Sequence, residues 1–329
     1  MKITPFLIGS DMAGQAIQKS LEVIKLIHPQ LDLAPTVLLE RDQSLEGLVS
    51  STENAILFIA NPSALHASTI LKAEAAGFKT IVCEKPVATD LDQIERLKKV
   101  EARVAILHGY RMMWGPQTIK KMLNGDEFGE LISIESRYWQ SSVAQKAISK
   151  APERAPWKSD VNLNGKYDVL LDLGSHWMDM ITYLADDFPT STEARLSYIN
   201  ALSPDRDTHL NLNLQFQNGL YATGSISKAV HGAGNSFEIN ILGAKKSCSW
   251  NFLNPDEIII GEGAHQFTQK RIESTLGGKQ NPFHGLGWID GYIEVIHRCL
   301  MELLGEDADY PDLEISLKNL ELLLRAKFI

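Results

Sequence analysis

The stretch Thr80-Ile81-Val82-Cys83-Glu84-Lys85-Pro86 decides how this chain is read. A short apolar run ends abruptly in an acid, a base and a proline. A run apolar on both alternating faces reads as a strand buried on both sides, as in parallel sheets. Pro86 has no N–H to give to a ladder, so the strand stops before it. Glu84 and Lys85 are therefore expected at the carboxyl edge of a sheet, where open α/β sheets bind ligands. The bland alternative is a solvated loop.

Upstream, Ile3 to Ile8 reads as another strand. Gly9-Ser10-Asp11-Met12-Ala13-Gly14 follows it, then a helical pattern through Ile17, Leu21, Ile24 and Ile27. Strand, glycine turn and helix form the setting of a dinucleotide fingerprint. Asp11 stands where that fingerprint has the glycine that lets the backbone approach a pyrophosphate. A carboxylate there repels a phosphate by roughly 1–4 kcal/mol per unit charge at about 4 Å. Aspartate is also a good N-cap. Two readings stay open: a dinucleotide held in altered geometry by Gly9, Ser10, Asp11, Met12 and Ala13, or a self-capped helix without one.

Pro35 to Leu39 reads as a strand closing on Glu40-Arg41-Asp42. Glu40 there would accept ribose hydroxyls, favouring NAD, whereas Arg41 would suit the 2′-phosphate of NADP. Two exposed loop charges are the alternative. Ala55 to Ile59 is a third strand, followed by Asn61 as a helix cap, Pro62 in the first turn and His66 early on the helix. His66 is read evenly as a packed residue or a ligand-edge residue. Leu91–Val100 reads as a helix capped by Asp90, and Val104–Leu107 as a strand leading to Tyr110-Arg111. This βαβ alternation calls for a parallel sheet with helices on both faces.

After about Pro116 the pattern changes. Leu131 to Gln140 alternates as a half-buried strand. Ser141 to Asn164, carrying Trp157-Lys158, reads as a long loop. Asp168 to Leu184 is a strongly apolar helix in which Asp172, His176 and Asp179 share one face. A carboxylate one turn from an imidazole suits a supported general base. A structural pair and a metal site are the alternatives. From Glu193 to Ile260 the chain reads as antiparallel strands, with Asn218-Gly219 as a hairpin turn. Helices over Gly287–Leu304 and Leu313–Ala326 close an α+β region.

The 329 residues carry a net charge of −9 and no basic block, which argues against nucleic acid as a partner. Three scattered cysteines form neither a disulfide framework nor a metal motif, as expected in the reducing cytoplasm. No run reaches membrane-spanning length, and the apolar start is too short for a signal peptide.

Taken in order, the strand-glycine-helix start, Asn61-Pro62 with His66, Glu84-Lys85-Pro86, Tyr110-Arg111, Trp157-Lys158 and Asp172-x-x-x-His176 resemble the Gfo/Idh/MocA oxidoreductases. The resemblance implies an N-terminal Rossmann domain with a doubly wound parallel sheet (1–118). An α+β substrate domain with an open, mainly antiparallel sheet would follow (119–329). It also implies NAD or NADP as cofactor, NAD being favoured. The expected reaction is hydride transfer between nicotinamide and a carbinol or keto carbon of a sugar, inositol or related polyol. Lys85 would polarise the reacting oxygen and His176 exchange the proton. Asp172 would hold His176 or bind a substrate hydroxyl, and Arg111 and Trp157 would line the pocket. Glu84 and Lys85 would also touch the cofactor, with a cis bond before Pro86. A homodimer or homotetramer formed through the C-terminal sheet is implied, and no metal. Departures are Asp11, a short Gln43–Glu53 segment, and Tyr110 before Arg111. The rival readings are a non-catalytic sensor on the same fold, favoured by Asp11, and a protein that holds its nucleotide without releasing it, or catalyses elimination or hydrolysis through a transient hydride step.

Overall fold

The computed structural model describes residues 2–40, 43–49, 54–148, 160–199, 203, 205–271 and 288–329. The expected apolar runs pair as neighbouring strands because side chains buried on both faces need cover above and below. In chain order the first elements are β1 (Lys2–Ile8), α1 (Met12–Ile27), β2 (Asp32–Leu33), β3 (Val37–Leu39), β4 (Ala55–Ile59), α2 (His66–Ala75), β5 (Thr80–Cys83), α3 (Leu91–Leu97) and β6 (Arg103–Ile106). All their sheet pairings are parallel, in the order β2-β1-β4-β5-β6, with β3 also on β1. β2 and β3 lie on one side of β1 and β4 on the other, so the strand order reverses there, the usual place for a ligand crevice. The ladder runs on past the strand ends: Ala60 N–H donates to Ile8 O at 2.8 Å and Glu84 N–H to Ile59 O at 2.9 Å. Gly9, Asn61 and Lys85 thus leave one sheet edge side by side.

Next come α4 (Trp114–Asn124), β7 (Leu131–Gln140), α5 (Ser142–Ile148), α6 (Val161–Asn164) and α7 (Val169–Ala185). Seven strands follow: β8 (Ser191–Ser197), β9 (His209–Gln215), β10 (Tyr221–Ser227), β11 (Asn235–Gly243), β12 (Ser247–Asn251), β13 (Glu257–Glu262) and β14 (His265–Lys270). The chain ends with α8 (Trp288–Leu303), α9 (Leu313–Leu324) and β15 (Lys327–Phe328). The strands from β7 onward form a nine-stranded sheet, antiparallel except for the β7–β10 and β8–β15 pairs. Its period-2 pattern puts Ile134, Ser136 and Tyr138, Leu210, Leu212 and Leu214, and Phe237, Ile239 and Ile241 in the core. α7 packs on this face, with Trp177 Nε1 donating to Ser136 Oγ. Gly224 is required there, since a Cβ would lie 2.5 Å from the Trp177 ring.

The chain divides into two units, Met1–Gly109 with Trp157–Gly165 and Ile289–Glu321, and Tyr110–Pro156 with Lys166–Trp288 and Leu322–Ile329. The sequence-based boundary at 118/119 differs, because residues near the C-terminus return to the first unit. Ile106 N–H donates to Pro311 O at 2.7 Å, beside an antiparallel bridge between Ala105 and Asp312. Gly291 rests on Gly109, where a Cβ would meet the Gly109 carbonyl at 2.1 Å.

Two further differences concern local signals. The expected loop from Ser141 contains α5, whose buried Val143 and Ala144 make too brief an apolar pair to show periodicity. It also contains α6, capped by the Asp160 carboxylate on Asn162 N–H at 2.8 Å. Strand β14 was not expected because every residue in it is exposed, so no alternation marks it; pairing with β13 forms it.

Candidate active site

The first unit gathers the nucleotide-side residues at its sheet edge. Gly9 has φ 104°, and a Cβ there would lie 2.3 Å from Ala60 O, so only glycine fits. Gly14 sits equally close, 2.1 Å from Gly9 O by the same measure. Asp11 occupies the N-cap position of α1 but makes no side-chain cap bond, which removes the self-capped reading. Ser10, Asp11 and Met12 are exposed and Ala13 half-buried. Glu40 is exposed at the end of β3, its N–H held by Gln43 Oε1 at 3.1 Å. Arg41 lies outside the described residues.

Asn61 was expected to cap a helix and does not. A one-turn 3₁₀ segment, Ser63–Leu65, intervenes before α2, and the Asn61 amide donates to Thr69 Oγ1 at 3.0 Å. The Asn61 Oδ1 atom is buried without a hydrogen-bond partner among the described residues. A buried orphan acceptor beside a glycine turn fits a bound dinucleotide, whose hydroxyls and amide can donate.

His66 is 1% exposed and acts through the backbone. Its Nδ1 lies 2.8 Å from Pro86 O and its Nε2 2.8 Å from Asn61 O, so the ring sits between the ends of β4 and β5 and, when neutral, donates to one of the two carbonyls. Read evenly from the sequence as a packed or a ligand-edge residue, it is packed here, with both ring nitrogens facing backbone carbonyls. Burial lowers its pKa below the ordinary 6.5, against the two carbonyls, which raise it, and with a further lowering from the Lys85 ammonium. A depressed histidine favours the neutral folded form. Its stabilisation is present above pH ~6.5 and declines as pH falls toward the folded pKa. The His66→Gln variant is therefore expected to lose less stability between pH 7 and pH 5 than the parent, as melting scans at both pH values will read.

Glu84 is buried, and its two oxygens serve its own unit. One accepts the Lys85 N–H at 3.2 Å, the other the Tyr292 hydroxyl from α8. Tyr292 thus joins the edge from 208 residues away, and no sequence motif marks it. The Lys85–Pro86 bond is cis, as the resemblance implied. Lys85 itself is half-buried, and Pro62 is buried.

In the second unit α7 presents Asp172, His176 and Asp179 on one face, and each meets a different environment. His176 is 8% exposed and lies edge-on to the Tyr110 ring, centroids 4.8 Å apart. The Tyr110 hydroxyl accepts from Tyr138 and from the Asn235 amide, both at 3.0 Å. Burial raises the pKa of both tyrosines, so they stay neutral, with their rings against the imidazole. The Asp172 carboxylate lies 2.6 Å from the Lys228 ammonium. Asp179 is buried against Arg111 at 3.2 Å.

Arg111 was expected to line a pocket. Its side chain is 3% exposed and engaged with Asp179, with the Tyr183 ring 5.1 Å away. Within this unit its guanidinium is held by that ion pair. Trp157 lies outside the described residues. Among the described residues no three His, Cys, Asp or Glu groups come together as a metal site.

The model of the oxidoreductase family with an NAD-binding Rossmann fold (Gfo/Idh/MocA) matches residues 8–107. The Gfo/Idh/MocA C-terminal domain model matches residues 117–248. The chain belongs to the Gfo/Idh/MocA family. It is an NAD-binding oxidoreductase with a parallel, Rossmann-like sheet followed by a mostly antiparallel one. Among relatives, a glucose-6-phosphate 3-dehydrogenase of Bacillus subtilis is 23% identical over 85% of this chain and 80% of its own length. A 2,7-anhydro-N-acetylneuraminate hydratase of Escherichia coli is 27% identical over 55% of this chain and 47% of its own. The solved levoglucosan dehydrogenase complex with NADH and levoglucosan superposes with a TM-score of 0.81 at 20% identity. That match covers 98% of this chain and 95% of that one. No described helix is long and apolar enough to cross a membrane.

Asp11 is the residue of the turn after β1 that departs from the dinucleotide fingerprint. Removing its charge in Asp11→Gly is expected to tighten NADH about fivefold, because an exposed carboxylate repels a phosphate by about 1 kcal/mol. Fluorescence titration with NADH reads this directly.

Proposed function

We propose that this protein oxidises a carbinol carbon of a sugar-like polyol, and reduces the ketone in reverse, with Lys85, His176 and Asp172 as its working residues. The observation that carries this reading is Lys85, half-buried at the same carboxyl edge of the parallel sheet as the Gly9 turn, with β4 between their strands. When bound, the nicotinamide supplies the hydride acceptor or donor. The Lys85 ammonium hydrogen-bonds the reacting oxygen and stabilises the developing alkoxide. His176 takes the hydroxyl proton as general base and returns it in reverse. Asp172 accepts a hydrogen bond from a neighbouring substrate hydroxyl or holds the imidazole. A sugar-like substrate agrees with the relative that acts on glucose 6-phosphate and with the structural neighbour that binds levoglucosan. Association of copies through the polar face of the large sheet, where Asn211, Thr223 and Glu238 lie, is part of the same proposal.

The test is turnover at 340 nm of glucose 6-phosphate, levoglucosan, myo-inositol and D-xylose with NAD and NADP, with NADH quenching as the binding control. Loss of quenching at millimolar NADH overturns the enzyme reading. A second reading is favoured by the hydratase relative: a retained nucleotide and net elimination or hydration without net redox change. Mass spectrometry of the denatured protein for a carried nucleotide separates the two.

A further inference from the structure

Lys228 follows β10, and its backbone is fixed on both sides: its N–H donates to Thr208 O at 3.2 Å and its carbonyl accepts from Val143 N–H at 2.9 Å. The side chain is 9% exposed. Its Nζ lies 2.6 Å from Asp168 Oδ1 and 2.6 Å from Asp172 Oδ2. These two acids stand one turn apart at the start of α7, so their carboxylates repel unless a cation sits between them.

The surroundings separate the two bonds. Asp168 is 21% exposed and also faces Arg206 at 3.9 Å. Asp207 caps the same turn, accepting Asp168 N–H at 2.5 Å and Leu170 N–H at 2.8 Å. The helix start is thus anchored by Asp207, Arg206 and Asp168. Asp172 is 43% exposed, beyond that anchor, and still holds the buried ammonium. Burial by itself pushes the Lys228 ammonium toward neutrality, but the carboxylates of Asp168 and Asp172 outweigh it and keep the cation charged.

We infer that Lys228 is a positioning residue for the reaction: it fixes the Asp172 carboxylate as a hydrogen-bond acceptor for a substrate hydroxyl and sets the charge felt by His176 one turn further on. The inference rests on the roles proposed for Asp172 and His176. The groups around the pair are Asp168, Asp172, Asp207 and Arg206, with His176 and Tyr110 on the same side of the unit.

The test uses the full chain and the Lys228→Met, Asp168→Asn and Asp172→Asn variants. Ring NMR titration of the histidines, with His176 assigned through His176→Asn, needs no substrate. Removing the cation favours imidazole protonation, so His176 is expected to titrate at least half a unit higher in Lys228→Met. A change under 0.2 unit in a folded variant overturns the inference. In turnover of whichever named polyol reacts, Lys228→Met is expected to raise KM about tenfold and move the acid limb of the profile to higher pH. NADH affinity should stay within twofold. Asp168→Asn, which leaves the Lys228–Asp172 bond in place, is expected to keep KM near that of the parent. If Asp168→Asn instead reproduces the KM rise of Asp172→Asn, Lys228 serves only the helix start and the inference fails, even where Lys228→Met does not fold. Parent kinetics in Asp172→Asn would sink the underlying reading of the site; impaired Asp172→Asn with unaltered Lys228→Met would sink only this inference.

Discussion

Lys85→Ala is expected to lose turnover by about 10²–10⁴-fold while keeping the fold and the affinity for NADH. The size follows from removing one positioned donor that meets charge as it develops in the transition state. The fold is expected to hold because the bonds that shape this edge do not use the ammonium. Glu84 accepts the Lys85 backbone N–H and the Tyr292 hydroxyl, and His66 bonds Pro86 O. All three survive truncation at Cβ. Loss of a charge beside buried His66 relieves one of the influences that lower its pKa, so the variant is not expected to be less stable near neutral pH. Single-turnover rates, NADH quenching and a melting curve measured on one preparation check all three parts. Parent rates in the variant would refute the role given to Lys85.

Arg111→Met is expected to act in the opposite way, on stability far more than on substrate affinity. The guanidinium and the Asp179 carboxylate are 3% and 2% exposed and 3.2 Å apart. Breaking a buried ion pair from one side typically costs about 3–5 kcal/mol, because the remaining charge stays in a poor solvent. The loss extends to the Tyr183 ring, which the guanidinium faces, and whose hydroxyl accepts from Gln117 at 2.7 Å. Gln117 also donates to the Arg111 carbonyl at 2.9 Å, so one network ties α4 to α7. A fall in melting temperature on the order of 10 °C is expected for a unit of this size. If melting is unchanged and only KM rises, the pocket-lining role that the family resemblance implies is the right one.

The parallel sheet, the antiparallel sheet and α7 were all legible, because their signals are local. A run such as Ala55–Ile59 is apolar on both faces, Leu210–Phe216 alternates with period 2, and α7 is apolar throughout. The helix and strand geometries translate such spacings directly into faces. The glycine turn and Glu84-Lys85-Pro86 were legible for the same reason: a backbone that must bend or stop announces it in residue type. Strand β14 and helix α5 were not, since the one is exposed on every residue and the other buries, among its described side chains, only Val143 and Ala144.

The sequence by itself determined which residues lie at the sheet edge and which share a face of α7, since both follow from chain geometry over a few residues. Only the tertiary structure decided what those residues touch. Asp172 meets Lys228 from the end of β10, Asp179 takes Arg111 out of solvent, and Glu84 receives Tyr292 from 208 residues away. Such partners are brought in by strand pairing and burial across the whole chain. A side chain's charge and hydrogen bonds depend on them, and no spacing along the sequence encodes them.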